Sequence, residues 1–530
     1  MHHAPPLGQA VGGPASKVDK GRWSRPLGTN AKAVADKQEP LRGLRLVVTG
    51  LDLEQAEHRG IAMYSKALLR ALQLSGAELW LLSEFEPREH DHSIRATPLA
   101  VRKLVFAAKL LDALSGGSRA HPLPLEGTRL TRKTRWAQGL IRRCAKTLAL
   151  ISNALFRKTY KLSAARRVST YELYDNPYTR LERLDYLDDL SGILCAKNIY
   201  RRSLGRAYTN RRIPIRVQLD DFDALVTTCP LHLCTDSNKA LIQTIHDLIP
   251  LEFARTTDHP GIFAHRLEAC KQSQRLFVST STKVKYELAF GADNPEQSAV
   301  VIQPPSLQIP SVHKRKMIQQ DTFRPSRRAK QRHGELKAFS YILFNSSVEP
   351  RKNLLFIIKA YRQSGLGDLG IRLCVTGQLK NDDYSRDVAE QADESILLTG
   401  YIDETTKSAL YLNSLMVLSP SLVEGFGIPV LDAACIGSPV IASPSGSHIE
   451  IQKLHDFHDL VWLCDTRDPV EWALAMRELA EFQKQQITST QSERNRRLER
   501  YDDVSKIVFE DFRTTVCQQV IHCIEATRKG

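Results

Sequence analysis

Two acidic residues eight positions apart mark the part of this sequence that is best suited to chemistry. They are Glu424 and Asp432, in the run VEGFGIPVLDAAC. The apolar segment 415–418 ahead of them predicts a short buried strand, and the glycines of the run predict a loop. Ionised carboxylates only accept hydrogen bonds, so two of them facing one cleft would suit the binding of sugar hydroxyl groups.

A helix is expected to begin within the same run. Pro429 suits the first turn of a helix, where its missing N–H costs nothing. The amides of Gly427 and Ile428 would then point out of the helix start, an arrangement that binds anions. An ordinary strand, loop and helix with two solvated acids would show the same local pattern, so the pattern alone leaves both interpretations open.

The whole run closely resembles the E-x7-E segment of family 4 glycosyltransferases, which are retaining enzymes of the GT-B fold. Asp432 stands where that family usually has a second glutamate. The resemblance implies that Glu424 acts in catalysis. It also implies a set of donor-binding residues in this run: Gly425, Phe426, Gly427, Ile428 and Asp432.

A pair of adjacent cations follows the predicted strand 341–344. Arg351 and Lys352 can neutralise a diphosphate, arginine through a planar fork and lysine as a point charge, although many such pairs only make a surface soluble. The phrase VEPRKNLL resembles the phosphate-binding segment of the same family, which assigns both residues to catalysis. Many members have Gly-Arg after this strand, whereas Ser346 and Ser347 stand here.

Three further positions receive roles from the resemblance. His246 follows the strand-like run 241–246, and the carboxyl ends of parallel strands are where open α/β sheets bind ligands. A structural histidine would fit there as well. TIHDLIPLEF resembles the family segment whose histidine contacts the donor sugar. Gly60, after the first strand, would lie beside the diphosphate and the acceptor, and Gly400 would flank the nucleotide base.

The pattern of strands and helices, together with the resemblance, predicts two facing Rossmann-like domains. The expected divisions are a disordered leader (1–42), an acceptor domain (43–312) with a basic insertion at about 89–216, a linker (313–338), a donor domain (339–490) and C-terminal helices (491–530) that cross back to the first domain. Residues 171–216 have a mixed, tyrosine-rich composition that predicts no particular element. The resemblance is absent from roughly 89–216.

The positive charge of the chain is concentrated in one segment. Residues 101–170 contain 16 Lys or Arg against two acids, out of a net charge of +15, and residues 131–170 contain 11 basic residues and no acid. A basic amphipathic helix with Trp136 on its apolar face would suit an anionic membrane surface. A helix docked on its own domain with a solvated basic face fits the same pattern. No recognised nucleic-acid module accompanies the charge, so nucleic acid is not expected as a partner.

Composition limits the remaining possibilities. Ten cysteines occur without any C-x-x-C, which is typical of reduced thiols. No His/Cys cluster is visible, and the one Asp-x-Asp, at Asp221 and Asp223, precedes a strand, so we expect neither a metal nor another cofactor.

No apolar run reaches about 18 residues, and the first 40 residues lack the apolar core of a signal peptide. A cytoplasmic protein, with possible peripheral attachment to the inner membrane face, is expected.

The sequence therefore predicts a retaining glycosyltransferase. Its donor would be a nucleotide-diphosphate sugar, with mannose favoured because IHDL and EPRKN resemble bacterial mannosyltransferases. Its acceptor would be a saccharide or a lipid-linked saccharide of a cell-surface polysaccharide. The alternative from another class is a non-catalytic nucleotide-sugar-binding scaffold of a polysaccharide assembly, which the departures at Asp432 and Ser347 motivate.

Overall fold

Two sheets, one from each half of the chain, organise the fold. The computed structural model describes residues 39–55, 60–85, 96–115, 159–173, 182–209, 213–254, 259–291, 294–309, 314, 317, 319–325 and 334–529. Most of the predicted leader lies outside the described residues, and so does the stretch 116–158, which contains the whole predicted basic helix around Trp136.

The described residues of the first half form eleven strands. They are β1 (Arg45–Thr49), β2 (Glu78–Ser83), β3 (Thr159–Lys161), β4 (Arg166–Ser169), β5 (Gly192–Cys195), β6 (Ile215–Gln218), β7 (Ala224–Thr227), β8 (Leu233–Cys234), β9 (Ala240–Ile245), β10 (Gln274–Phe277) and β11 (Ser298–Val300). Eight of them form one sheet in the order β11-β10-β9-β7-β1-β2-β5-β4, in which only β4 runs antiparallel. Every residue of β9 is buried, as expected for a parallel strand with both faces covered.

The helices of this half cover the sheet. They are α1 (Gly60–Leu74), α2 (Leu99–Leu114), α3 (Ile199–Tyr208), the short α4 (Ile249–Glu252), α5 (Pro260–Ala269) and α6 (Thr280–Phe290). Helix α1 buries Leu68, Leu69 and Leu72, which lie on one face of the helix. The stretch 171–216, for which the sequence predicted no element, supplies β5 to the main sheet as well as α3.

The second half forms a fully parallel sheet. Its strands are β14 (Tyr341–Asn345), β15 (Arg372–Thr376), β16 (Ile396–Gly400), β17 (Met416–Ser419), β18 (Val440–Ala442) and β19 (Val461–Leu463), preceded by a two-stranded ribbon of β12 (Thr322–Phe323) and β13 (Leu336–Lys337). The order β16-β15-β14-β17-β18-β19 is that of a Rossmann fold. The order reverses between β14 and β17, where the loops that follow both strands open a crevice.

Six helices pack on this second sheet. They are α7 (Leu354–Ser364), α8 (Asp383–Glu390), α9 (Glu404–Asn413), α10 (Ile428–Ile436), α11 (Gly446–Gln452) and α12 (Pro469–Gln486). With a mostly parallel, helix-covered sheet in each half, the structure has the expected GT-B architecture of two Rossmann-like units.

A single helix, α13 (Thr490–Lys529), joins the two halves at the C-terminal end. Near its start, the buried side chain of Arg497 donates to the carbonyl of Ser414 at 2.8 Å. Farther along, Cys517 contacts Ser75 of the first half, and Arg528 pairs with Asp223 at 2.8 Å. The predicted return to the first half is confirmed. Among the described helices, none has an apolar stretch long enough to cross a bilayer.

Candidate active site

The reversal point of the second sheet brings together three of the residues predicted to act in catalysis. Arg351 and Lys352 lie on a 3-10 turn that follows β14, and Glu424 lies in the loop that follows β17. The ammonium group of Lys352 pairs with Oε1 of Glu424, which also accepts from the Ser421 hydroxyl at 2.7 Å. The Leu422 amide donates to the carbonyl of Arg351 at 2.8 Å, so the two loops are also joined through their backbones.

The charges of this cluster control its protonation. Burial would raise the pKa of Glu424, but the neighbouring charges of Lys352 and Arg351 hold that pKa at about 2. Burial lowers the pKa of Lys352, and the charge of Glu424 opposes this shift. Glu349 pairs with Arg351 at 3.2 Å and with Lys380 at 2.7 Å. Three cations and two carboxylates leave one net positive charge at the crevice.

Two buried nitrogen atoms beside Glu424 have no hydrogen-bond partner within the described part of the chain. Nη1 of Arg351 lies 3.6 Å from Oε2 of Glu424, and this nitrogen makes no hydrogen bond. Nε2 of His448 is the second such atom. Buried polar atoms are nearly always paired in folded proteins, so these two mark a place where a polar ligand would be stabilised.

His448 was not predicted from the sequence. Its Nδ1 is 2.8 Å from the Ser443 carbonyl, which can only accept, so Nδ1 carries the proton and Nε2 of the neutral ring is an acceptor. Burial lowers the pKa of His448, although the charge of Glu424 opposes the shift. The signal in the sequence was its position just past the end of a strand, in β18-loop-α11, where α/β sheets place ligand-binding groups.

The start of α10 lies beside this cluster. Gly427 is the N-cap of the helix, with a φ of 105°, and Pro429 lies in the first turn as predicted. A Cβ atom at Gly427 would come within 2.6 Å of the His448 ring, so only glycine fits. Phe426 is buried next to this glycine.

The first half approaches the same loop from the opposite side. His246 follows β9, and a Cβ atom at Gly425 would lie 2.2 Å from the His246 carbonyl oxygen. A Cβ atom at Gly60, the first residue of α1, would lie 2.7 Å from Cδ1 of Ile428. The structure thus places His246 and Gly60 against the predicted donor loop.

The His246 ring is fixed in one orientation. Its Nε2 lies 2.7 Å from the Thr228 carbonyl, and the Tyr64 ring meets it edge-on at 4.8 Å between centroids. Burial lowers the pKa of His246. The neutral ring therefore carries its proton on Nε2 and leaves Nδ1 as an acceptor. Thr228 is itself held by Asp52, whose carboxylate accepts from the Thr228 hydroxyl at 2.7 Å. Asp52 was not predicted either.

Asp432 lies apart from this cluster. Its side chain is fully enclosed, and its two oxygens accept from the amide and the hydroxyl of Ser306, both at 2.6 Å. Burial raises the pKa of Asp432, against the lowering effect of Lys407. Ser306 belongs to the segment that leaves the first sheet. The predicted contact of Asp432 with a donor stays a prediction, and these partners do not favour it.

Gly400 lies at the end of β16, where its carbonyl accepts from the amide of Gly377 at 3.0 Å. A Cβ atom at Gly377 would come within 2.2 Å of the Ser346 carbonyl oxygen, whereas the position of a Cβ at Gly400 is open. The predicted role of Gly400 beside a nucleotide base is untested.

No group of three or more His, Cys, Asp or Glu side chains in the described residues has a geometry that could hold a metal ion, and the expectation of no metal stays a prediction.

Known proteins match the second half. Residues 326–497 match the family model described as glycosyl transferases group 1. This part, which is less than half of the chain, is similar to that family. The match agrees with the resemblance found in EGFGIPVLD and EPRKN.

Two named relatives are similar over short segments. An uncharacterized glycosyltransferase of Methanocaldococcus jannaschii is 27% identical over 135 residues, which are 25% of this chain and 34% of that protein. The O-antigen chain mannosyltransferase B of Escherichia coli is 30% identical over 107 residues, 19% of this chain and 28% of that protein. The chain thus matches about a third of the length of these relatives.

Among solved structures, HepE of Anabaena in complex with UDP is 11% identical, with a TM-score of 0.44, and covers 91% of this chain and all of its own. The sucrose-phosphate synthase of Thermosynechococcus elongatus is 13% identical, with a TM-score of 0.45, and covers 89% of this chain and 98% of its own. Both TM-scores are too low to support a conclusion about activity.

Proposed function

We propose that this chain transfers a sugar, with retention of anomeric configuration, from a nucleotide-diphosphate sugar to a saccharide or lipid-linked saccharide acceptor. The observation that carries this proposal is the pair of unpartnered buried nitrogens beside Glu424, on Arg351 and His448. One is a permanent cation and the other a neutral acceptor. A donor that carries both phosphate oxygens and sugar hydroxyl groups satisfies the two together.

The leaving diphosphate would be bound by the cations of the crevice. Nη1 of Arg351 makes no hydrogen bond in the described part of the chain, and the amides at the start of α10 offer further donors. Fixed donors of this kind stabilise the charge that develops on the phosphate as the glycosidic bond breaks, by about 3 kcal/mol for each donor. Glu424 keeps Lys352 charged and in place until the donor arrives.

The sugar would be held by acceptors on both sides of the cleft. Nδ1 of His246 is an acceptor because Nε2 faces the Thr228 carbonyl. Oε2 of Glu424 lies 3.6 Å from Nη1 of Arg351, beyond hydrogen-bond distance, so it keeps capacity for a hydroxyl group. Acceptors from both halves would fix the anomeric carbon between the donor loop and the first sheet.

The proposed reaction needs no covalent intermediate. The acceptor hydroxyl oxygen forms a bond to the anomeric carbon on the face that the diphosphate leaves, and the glycosidic C–O bond breaks with its electron pair on the phosphate oxygen. The hydroxyl proton passes to that same oxygen. The low pKa of Glu424 and its pairing with Lys352 make its carboxylate a weak nucleophile, which supports this route.

The sugar and the polysaccharide role are part of the proposal. The mannosyltransferase name of the Escherichia coli relative supports mannose, and its O-antigen role supports a cell-surface polysaccharide. The excess of basic residues in 131–170 supports peripheral attachment at the inner face of a membrane, where a lipid-linked acceptor would be met.

The decisive experiment incubates the protein with a panel of nucleotide sugars and acceptors and follows transfer and product configuration by NMR. We expect one donor to give a retained product, and the thermal shift with GDP to exceed that with UDP. Arg351→Ala is expected to lower turnover by about a hundredfold, whereas Arg386→Ala, on the exposed side chain of α8, is the matched control. Donor binding without hydrolysis or transfer to any acceptor would instead favour the scaffold alternative.

A further inference from the structure

A carboxylate of the second half covers the start of a helix of the first half. Glu450, on α11, accepts from the backbone amides of Thr280 and Ser281, at 2.7 and 2.6 Å. These amides begin α6, and each binds a different oxygen of the carboxylate. The partners are about 170 residues apart in the chain.

The local sequence of α6 explains why these amides are available. The first amides of a helix have no partner inside the helix. The side chain of the N-cap residue Ser279 accepts from the amide of Thr282, at 3.0 Å, and leaves the amides of the first two helical residues for another acceptor. A carboxylate there gains charge-assisted hydrogen bonds and the favourable field of the helix dipole. Glu450 supplies from the second half what a residue of the helix itself would normally provide.

The same helix start also holds the donor loop. The Ser279 hydroxyl donates to the carbonyl of Gly425 at 2.7 Å, and the Thr282 hydroxyl donates to the same carbonyl at 3.1 Å. A Cβ atom at Gly446, at the start of α11, would come within 2.4 Å of the Ser281 hydroxyl. The contact of Glu450 is therefore continuous with the contact that brings Gly425 against His246.

We propose that Glu450 is a positioning residue that holds the two halves together over the bound donor. It touches neither the donor nor the acceptor, and it acts through α6 and the loop of Gly425. Closure of the cleft keeps water from the anomeric carbon, so the acceptor hydroxyl is the nucleophile that reacts. The catalytic part of this inference rests on the proposed function, whereas the closure itself does not.

The first test compares Glu450→Gln with the wild type. Glutamine presents one oxygen and one NH2 group, so one of the two amides would face a donor instead of an acceptor. We expect the ratio of closed to open molecules to fall by about tenfold, as for the loss of one hydrogen bond to a charged group. Small-angle scattering should then show a larger radius of gyration in the presence of GDP or UDP. The ratio of donor hydrolysis to transfer should rise. Glu481→Gln, at an exposed position of α12, is the matched control.

A second variant changes the other partner. Thr280→Pro removes one of the two amides, and proline is tolerated at the first position of a helix. The extended backbone of Ser279, with a φ of −155° and a ψ of 154°, is compatible with a following proline. We expect Thr280→Pro alone to raise the fraction of molecules in which the cleft is open. In the Glu450→Ala background, the same substitution should have no further effect on scattering or on the hydrolysis ratio.

The two readouts separate the proposals. If no nucleotide sugar is transferred, the proposed function fails, but scattering with the nucleotide alone still decides whether Glu450 closes the cleft. Unchanged scattering and an unchanged hydrolysis ratio in Glu450→Gln would overturn the inference. An equal effect of Thr280→Pro with and without Glu450 would also overturn it, because the proline would then act on the helix alone.

Discussion

Glu424 and Asp432 occupy one loop and the helix that follows it, yet the fold places them in opposite surroundings. Glu424 lies at the reversal point of the second sheet and contacts Lys352, Arg351 and Ser421. Asp432 is part of α10, its side chain is fully enclosed, and both of its oxygens accept hydrogen bonds from Ser306. One carboxylate belongs to a cluster with unpartnered nitrogens, and the other has its hydrogen bonds satisfied by the protein.

The difference also appears in the protonation of the two groups. Both are buried, which raises a carboxyl pKa, but two adjacent cations overcome this effect at Glu424 and lower its pKa to about 2. Asp432 has Lys407 nearby but forms no ion pair with any described residue, and burial raises its pKa. The partners of a carboxylate, and not its spacing in a motif, decide whether it is available to a ligand.

The largest effect is expected from breaking the charge pair in the crevice. Glu424→Gln leaves the ammonium group of Lys352 buried without a counter-charge, which should lower the free energy of unfolding by about 3 to 5 kcal/mol. Turnover should fall by about two orders of magnitude, because the substitution removes an acceptor for the sugar and the partner that positions Lys352. Chemical denaturation and steady-state kinetics measure the two effects.

The double variant Glu424→Gln with Lys352→Met separates stability from function. Removing both charges should restore most of the lost stability, since a buried ion pair can be replaced by apolar groups at little cost. Activity should stay low. A double variant with near-native turnover would show that the pair is structural and would remove both residues from the proposed mechanism.

The second prediction concerns Asp432 as an anchor. Asp432→Ala leaves the amide and hydroxyl of Ser306 buried without an acceptor, which should cost about 1 to 3 kcal/mol of unfolding free energy. Ser306→Ala should cost less, and the pair should be non-additive in a double-mutant cycle. Donor affinity should change little in all three variants. Asp459→Ala, at a fully exposed side chain, is the control.

A contrary result would restore the role that the family resemblance implies. If Asp432→Ala weakens donor binding as strongly as Glu424→Gln does, Asp432 exchanges Ser306 for the donor ribose. In that case the wild type should bind a 2′-deoxy donor more weakly than the ordinary donor. Asp432→Ala should bind the two donors equally.

Much of the fold could be predicted from local patterns. Helix α6 and strand β16 carry clear sequence signals at their ends: a serine N-cap and a following glycine for α6, and a terminal glycine for β16. Strand β5 was not predicted. It has only four residues, and the charged, tyrosine-rich composition around it hides a short apolar run.

The core of the candidate site could be predicted as well. Arg351, Lys352 and Glu424 follow two strands that meet at the reversal point of the sheet, so the strand order brings them together. The partner of Asp432 could not be predicted. Ser306 lies 126 residues away in a segment without a motif, and no local signal reports such a contact. The contact of Glu450 with α6 could not be predicted for the same reason.

The smallest expected effect is a difference in acid sensitivity between the two carboxylates. The folded-state pKa of Glu424 is depressed to about 2, so its contribution to stability is present above its ordinary value of 4.5 and is lost as the pH falls below that value. The folded-state pKa of Asp432 is raised above its ordinary value of 3.8. Between 3.8 and the raised pKa, the folded state binds this proton more readily than the unfolded state does. The contribution of Asp432 to stability therefore rises as the pH falls.

Removing each carboxylate should therefore change the acid slope of stability in opposite directions. The Glu424→Gln, Lys352→Met double variant should lose stability less steeply than the wild type as the pH falls from about 6 to 2.5, and Asp432→Asn should lose it more steeply. Urea unfolding at a series of pH values measures the slopes, with Glu481→Gln as a control that should leave them unchanged. Equal slopes in both variants would mean that the two carboxylates share one electrostatic environment, and the contrast between a crevice carboxylate and an anchoring carboxylate would then be lost.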